Sequence, residues 1–175
     1  ELVRDQQPLV MKYLRRQLED VTTLYAPESH FTRAAVDSLS SYLMCCGQSV
    51  EAEVLLRPYV TYPLEDNDWS AGGQMILARY AKVLDELDKN AEAETLLRHG
   101  IRSGNVHSFP TYPLKYTLGH VLWKQGKLHE CRELLSALFS EAKREFGPDH
   151  GETMMVAQLL VATIQRLAQT PTTSG

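Results

Sequence analysis

The chain has 175 residues, of which 43% are hydrophobic and 23% are charged, and its formal net charge is −4. A chain of this size can bury a core of ordinary domain size, and it lacks the positive surplus that holds a nucleic-acid backbone. No apolar run approaches the roughly 20 residues that a membrane-spanning helix needs, and three cysteines do not make an even disulfide framework. These properties favour a soluble, cytoplasmic protein with neither a nucleic-acid nor a membrane partner.

Apolar residues recur at three- and four-residue spacing along most of the chain, and this spacing predicts amphipathic helices. The breaks between the predicted helices are rich in Gly, Pro, Asn and Asp, which end helices. Because no alternation typical of a strand is sustained, we expect an all-α fold. The predicted helical segments are Leu9–Leu24, Ala34–Cys46, Met75–Leu87, Leu114–Trp123, Cys131–Ala142 and Met154–Leu167.

Three stretches of the sequence align as internal repeats, in steps of 41 and 38 residues. The pattern of each repeat predicts two antiparallel helices joined by a short turn, with a small side chain where the second helix crosses the first. Stacked neighbours bury the apolar faces that a single hairpin leaves open. The aligned positions are the turn residues Gly47, Asp88 and Gly126, the small residues Ala52, Ala93 and Cys131, and the leucines Leu56, Leu97 and Leu135.

The two ends of the chain fit this pattern as half repeats. A step of 42 residues before the first repeat lands on Val10 and Leu14, so the chain begins within a second helix, and it closes on a lone first helix. We expect one domain over residues 1–169 and a disordered tail over residues 170–175. The predicted units are residues 9–24 (half repeat), 32–60, 73–101, 112–142 and 152–168 (half repeat). Each lone helix leaves an apolar face open, which predicts self-association through the half repeats or frayed ends.

The strings "GQSVEAEVLLR", "NAEAETLLR" and "QGKLHECRELL", with "GPDHGET" before the final helix, resemble tetratricopeptide (TPR) repeats of the longer kind found in kinesin light chains. The resemblance implies a right-handed α-solenoid of stacked helix hairpins. It also implies a protein–protein interaction module, a scaffold or adaptor, that binds a peptide or a partner helix in a concave groove. The alternative is a regulatory or self-association TPR domain of a larger enzyme or signalling protein. Pro58 departs from the family pattern and predicts that its helix stops early or kinks.

The same resemblance places side chains of the first helices on the concave surface. Trp123 and Tyr116 are the expected anchor, and acidic groups in the first half with basic groups in the second would orient a ligand. Two alternatives remain open: the set is an ordinary solvated face, or Trp123 fills the seam between hairpins. The expected partner-binding residues are Asp37, Ser41, Met44, Cys45, Lys82, Asp85, Glu86, Tyr116, His120, Trp123, Lys124, Gln158, Gln165 and Arg166.

The remaining motifs favour structural roles, so we expect no catalytic residues, no metal site and no cofactor. In "PDHGE", Asp149 is expected to cap the last helix while Pro148 stops the one before it, with catalysis as the weaker alternative. Zinc binding by His129 and Cys131 competes with the packing role of Cys131. The adjacent Cys45 and Cys46 lack a redox-motif spacer, which leaves redox sensing as a minor alternative. "AGGQ", residues 71–74, is interpreted as a flexible linker.

Overall fold

The computed structural model describes residues 2–60, 71–103 and 111–169. Within these ranges the chain forms eight α-helices and one short 3-10 turn, without a β-strand, so the all-α prediction is confirmed. The predicted tail, residues 170–175, and residues 61–70 and 104–110 lie outside the described residues. The helices are α1 (Leu2–Leu24), α2 (His30–Cys45), α3 (Ser49–Leu56), α4 (Ala71–Glu86), α5 (Asn90–Ser103), α6 (Thr111–Lys124), α7 (Leu128–Glu145) and α8 (Gly151–Gln169).

The helices stack as a solenoid of hairpins. The pairs α2/α3, α4/α5 and α6/α7 are the three hairpins, and the first helix of each one contacts the first helix of the next, through to α8. Each second helix also packs against the first helix that follows it, as α1 does against α2. The core therefore runs continuously along the stack, in the way expected of helical repeats.

Each hairpin turn is closed by the same backbone geometry. Gly47, Asp88 and Gly126 all have left-handed backbone conformations, with φ of 73°, 59° and 76°. The amide that follows each of them donates to the carbonyl five residues earlier, at 2.8, 2.8 and 3.0 Å, which is the hydrogen bond that defines a Schellman helix end. Asp88 adopts this conformation although it carries a Cβ, which confirms that it replaces glycine at the turn.

The small residues lie where the two helices of each hairpin cross. Ala52, Ala93 and Cys131 are all 0% exposed. In the third hairpin the Cys131 thiol lies 3.1 Å from the carbonyl oxygen of Gly119, and a Cβ on Gly119 would come within 2.8 Å of a Leu135 methyl carbon. The helices therefore approach too closely for larger side chains, as the repeat alignment predicted.

The connection between α3 and α4 departs from the regular hairpin. α3 ends at Leu56 and continues as a 3-10 turn over Arg57–Tyr59, which confirms the early stop predicted from Pro58. The linker prediction for "AGGQ" was wrong, because residues 71–74 form the first turn of α4. Gln74 is almost fully buried there, so packing of this turn outweighs the low helix propensity of the two glycines.

The string "FGPDHGET" separates α7 from α8, as predicted, but α8 begins one residue later than a cap at Asp149 requires. α8 begins at Gly151, so His150, and not Asp149, holds the position just before the helix. The Thr153 hydroxyl donates to the Gly147 carbonyl at 2.8 Å. Thr32 makes the same bond to Ala26 at 2.9 Å at the start of α2. Two buried threonines, 121 residues apart in the sequence, therefore fix the two junctions in the same way.

Ion pairs link consecutive second helices, in two cases through a lysine just before the helix, and they were not predicted from the sequence. They repeat with the period of the hairpins, because the partners in one pair align with the partners in another. Their regular spacing was a signal available in the sequence. The pairs are Glu53 with Lys89 at 2.6 Å, Glu94 with Lys127 at 2.6 Å, Arg98 with Glu130 at 2.5 Å, and Arg15 with Glu51.

The crossing in the second hairpin can be tested by enlarging Ala93. Ala93→Leu should overpack the contact between α4 and α5 and lower the free energy of unfolding by about 1–3 kcal/mol. Ala91→Leu is the matched control, since Ala91 is exposed on the same helix and should change stability by less than about 0.5 kcal/mol. Urea denaturation measures both changes, and equal midpoints for the two variants would contradict the repeat alignment.

The pH dependence of stability tests the ion pairs at Glu94. Burial acts to raise the pKa of Glu94, but hydrogen bonds from Lys127 and Arg98 outweigh it and hold the pKa below the usual 4.5. A carboxylate whose pKa is lowered by folding stabilises the fold above pH 4.5 and loses this effect as the pH falls through its folded pKa. Glu94→Gln should therefore destabilise the protein at neutral pH and converge with the parent in acid.

The control for this comparison is Glu133→Gln, at an exposed glutamate of α7. Urea denaturation should show only a small difference in stability between this control and the parent at neutral pH. A Glu94→Gln difference that stays constant from neutral pH down to strong acid would show that the ion pairs do not stabilise the fold.

Candidate partner-binding surface

The expected partner-binding residues fall at four aligned positions on the first helices α2, α4, α6 and α8. Their spacing puts them on one face of each helix, and these helices are neighbours in the stack. We call this set the first-helix surface. Its aligned positions are Asp37/Tyr116/Gln158, Ser41/Lys82/His120, Met44/Asp85/Trp123/Gln165 and Cys45/Glu86/Lys124/Arg166.

Asp37 is engaged by an arginine of the next first helix. Nε of Arg79 lies 2.9 Å from one carboxylate oxygen of Asp37, and a second guanidinium nitrogen donates to the other oxygen at 3.2 Å. Both side chains are partly buried, and bidentate geometry makes this one of the stronger kinds of ion pair. Arg79 was missing from the predicted set, although it lies one helical turn before Lys82 on the same helix.

Asp85 is paired in the same way with α6. Nζ of Lys124 lies 3.1 Å from Oδ2 of Asp85 and donates to the main-chain carbonyl of that residue at 2.9 Å. Asp85 is only 6% exposed, and its Oδ1 has no hydrogen-bond partner among the described residues. The lysine thus neutralises a buried carboxylate and satisfies a carbonyl near the end of α4.

Trp123 fills the seam between α6 and α8. It is half-buried against the core, the guanidinium of Arg166 stacks 4.8 Å from its ring centre, and Arg166 donates to its carbonyl at 2.8 Å. The indole Nε1 is buried without a hydrogen-bond acceptor among the described residues. Of the two sequence-based interpretations of Trp123, this geometry favours the seam.

Lys124 and Arg166 make the same kind of contact. Each is a cation near the end of a first helix, and each donates to a main-chain carbonyl of the previous first helix. Lys124 contacts Asp85 in this way, and Arg166 contacts Trp123. Glu86 holds the aligned position on α4 and instead accepts a hydrogen bond from the Ser49 hydroxyl at 2.6 Å. Much of the predicted set therefore holds the solenoid together.

His120 and Tyr116 lie together on α6, with ring centres 6.2 Å apart in an edge contact. Loss of solvent around the imidazole lowers the pKa of His120; Asp85 opposes this shift, and the positive charges of Lys82 and Lys124 add to it. Burial raises the pKa of the Tyr116 hydroxyl. At neutral pH both side chains are therefore uncharged hydrogen-bonding groups.

Four polar residues of this surface are exposed and make no hydrogen bond within the described chain: Lys82, His120, Gln158 and Gln165. Together with Ser41 they form a polar, weakly charged strip across the four first helices. The carboxylates of Asp37 and Asp85 are already paired, which reduces the charge asymmetry expected from the sequence. The strip offers amide, hydroxyl and imidazole groups for hydrogen bonding rather than a strong electrostatic field.

The described residues include no group of three or more His, Cys, Asp or Glu side chains placed to hold a metal ion. His129 is exposed, while the Cys131 thiol is buried between Gly119 and Thr163, and burial raises its pKa. This arrangement is that of a packing cysteine.

None of the helices in the described ranges has the length and apolar character needed to cross a membrane.

Comparisons of the structure with solved proteins place this architecture among known repeats. It superposes on TPR-like repeats of a Podosopora anserina chain described as a kinesin light chain, with a TM-score of 0.67, 16% identity, and coverage of 97% of this chain and 85% of the other. The Q17M variant of those repeats superposes with a TM-score of 0.69 and 17% identity, over 97% of this chain and 84% of the other. The fold is a TPR-like solenoid. Neither a family model nor a curated protein sequence matches the chain.

The seam role of Trp123 predicts a stability effect. Trp123→Ala should remove half-buried apolar area and the contact with Arg166, and should lower the free energy of unfolding by about 2–3 kcal/mol. Gln165→Ala is the matched control, because Gln165 holds the aligned position on α8 and is exposed. Urea denaturation of both variants decides the matter. If Trp123→Ala unfolds at the same midpoint as the control, Trp123 does not support the seam.

Proposed function

We propose that the chain is a protein–protein interaction module, a scaffold or adaptor, that binds a peptide or a partner helix along the first-helix surface. TPR-like folds generally serve as interaction scaffolds. The observation that supports this most directly is that four neighbouring first helices carry side chains at the same aligned positions. Such a row spans enough of the molecule to contact several residues of an elongated partner.

The chemistry of the surface suggests how a partner is held. The amides of Gln158 and Gln165 can each donate and accept hydrogen bonds, as an extended backbone requires. Lys82 and His120 lie at aligned positions on adjacent helices and provide donor groups between them. Because Asp37, Asp85 and Trp123 already have partners within the chain, we place recognition mainly on these exposed polar groups, with Tyr116 as the half-buried aromatic neighbour.

Two further parts of the proposal concern chemistry and location. The module acts by binding and not by catalysis, since the carboxylates of Asp37 and Asp85 are held in ion pairs with Arg79 and Lys124. All three cysteines are free, and Cys45 is exposed. Because an exposed free thiol suits a reducing compartment, we place the protein in the cytoplasm.

The alternative, a regulatory or self-association domain of a larger enzyme or signalling protein, is favoured by exposed apolar side chains on α1 and α8.

A displayed peptide library selected on the immobilised chain tests the binding surface. Peptides that it enriches are then titrated against the parent and against a variant with four exposed residues replaced by alanine: Lys82, His120, Gln158 and Gln165. None of these four makes an ion pair within the described chain, so the fold should be retained. Fluorescence anisotropy should show binding weakened by about tenfold or more, which corresponds to about 1.4 kcal/mol.

The matched control replaces four exposed residues of α7 with alanine: Arg132, Glu133, Ser136 and Ser140. This variant should bind the same peptides as tightly as the parent. If the first-helix variant binds like the parent, or if both variants weaken equally, the first-helix surface is not where the partner binds.

A further inference from the structure

An apolar groove with a volume of about 340 Å³ lies between the second helices α1 and α3, and we call it the α1/α3 groove. Leu39 and Leu43 of α2 form its floor and are almost fully buried. Its walls include Leu18 of α1 and Leu55 of α3, which are only partly buried. The groove is therefore apolar at its base and open toward solvent on the side of the second helices.

The corresponding place between α3 and α5 is filled by an aromatic ring. Tyr80 of α4 is only 1% exposed. Burial raises the pKa of its hydroxyl, the carboxylates of Glu92 and Glu53 add to this shift, and a hydrogen bond with Arg57 opposes it. The ring thus extends from the first helix α4 to charged side chains on the two second helices beside it.

The two places match position by position along the repeat. Because leucine is shorter than tyrosine, the α1/α3 groove keeps the floor and the charged opening but lacks the ring between them. The walls differ accordingly, since Leu55 is partly buried whereas the aligned Leu96 is 1% exposed. The aligned pairs are Leu39/Tyr80, Arg15/Arg57 and Glu51/Glu92.

The direction of entry determines which side chain fits the α1/α3 groove. Tyr80 is attached at the floor of its own groove, so its hydroxyl reaches the charged opening. A side chain from another molecule would enter with its tip toward Leu39 and Leu43. A tyrosine would then bury its hydroxyl against leucines without a hydrogen-bond partner, which is costly, whereas a phenylalanine would bury only apolar surface.

The opening of the groove adds a requirement on charge. Arg15 of α1 and Glu51 of α3 pair across it, and exposed pairs of this kind contribute little and can separate. Glu19 also lines the groove. Its side chain is exposed and makes no hydrogen bond or ion pair within the described residues. A cation next to the entering side chain would complement this carboxylate.

We propose that the α1/α3 groove is a second docking site, which takes a phenylalanine side chain next to a lysine or arginine of a partner protein. The phenylalanine ring occupies the place that Tyr80 fills in the next repeat. The neighbouring cation pairs with Glu19. The site is independent of the first-helix surface, because it is bordered by second helices and shares no residue with that surface.

Methyl NMR spectroscopy of the labelled chain, titrated with a capped peptide, tests this site. The probe has a Phe-Lys pair between two glycines on each side. We expect weak, saturable binding in the millimolar range, with shifts concentrated at the methyl groups of Leu18, Leu39, Leu43 and Leu55. Exchanging the phenylalanine of the probe for tyrosine should weaken binding about fivefold or more, and exchanging it for glycine should abolish the shifts.

Leu39→Tyr fills the groove from inside, as Tyr80 does in the next repeat, and should weaken binding of the probe about tenfold or more. Val54→Tyr is the matched control, because Val54 is exposed on α3 and does not line the groove; this variant should bind like the parent. Glu19→Gln should weaken the Phe-Lys probe about twofold to fivefold and leave a Phe-Gly probe unaffected.

The proposal is overturned if the Phe-Lys probe gives no saturable shifts up to about 10 mM, if the tyrosine probe binds equally well, or if Leu39→Tyr binds like Val54→Tyr. An unchanged affinity in Glu19→Gln would rule out the neighbouring cation. Circular dichroism checks that each variant keeps its helices, and the comparison of probes needs no variant. The four-alanine variant of the first-helix surface should still bind the probe, so failure of one surface is distinguished from failure of the other.

Discussion

The close crossing of the two helices in each hairpin is the constraint on which the solenoid depends. It requires a small side chain at Ala52, Ala93 or Cys131, and it requires a turn that reverses the chain within a few residues. The left-handed residue of the turn meets the second requirement. Once both requirements are met, the leucines of each hairpin pack at a fixed separation. The contacts between hairpins then follow the same spacing.

This constraint also explains how the first helices link one hairpin to the next. Because each hairpin is fixed at its crossing, its first helix ends at the same place in every repeat. A cation there reaches the helix before it, as Lys124 reaches Asp85 and Arg166 reaches Trp123. Charged residues that resemble a binding surface in the sequence are therefore divided between holding the stack and facing solvent, and only their contacts distinguish the two roles.

The repeat alignment was enough to predict the hairpins, because turn glycine, small crossing residue and paired leucines are local requirements that leave a period in the sequence. It could not assign Trp123 to the seam, since a helix position near a groove edge faces both the neighbouring helix and solvent. It misread residues 71–74 as a linker because glycine lowers helix propensity and the packing of Gln74 is invisible locally. The cap predicted at Asp149 was misplaced by one residue for a similar reason. The hydrogen bond from Thr153 that fixes this junction is not visible in the local sequence.

A solenoid differs from a closed domain in that its stability is summed over neighbouring contacts, so its two ends are energetically unlike its middle. Here the internal faces bury leucines almost completely, whereas aligned positions at the ends, such as Val10 and Ile164, stay in contact with water. A solvated end is usually made polar in repeat proteins. The free energy that burial of the internal leucines contributes is therefore not gained at Val10 and Ile164, although these positions keep the apolar character of an internal face.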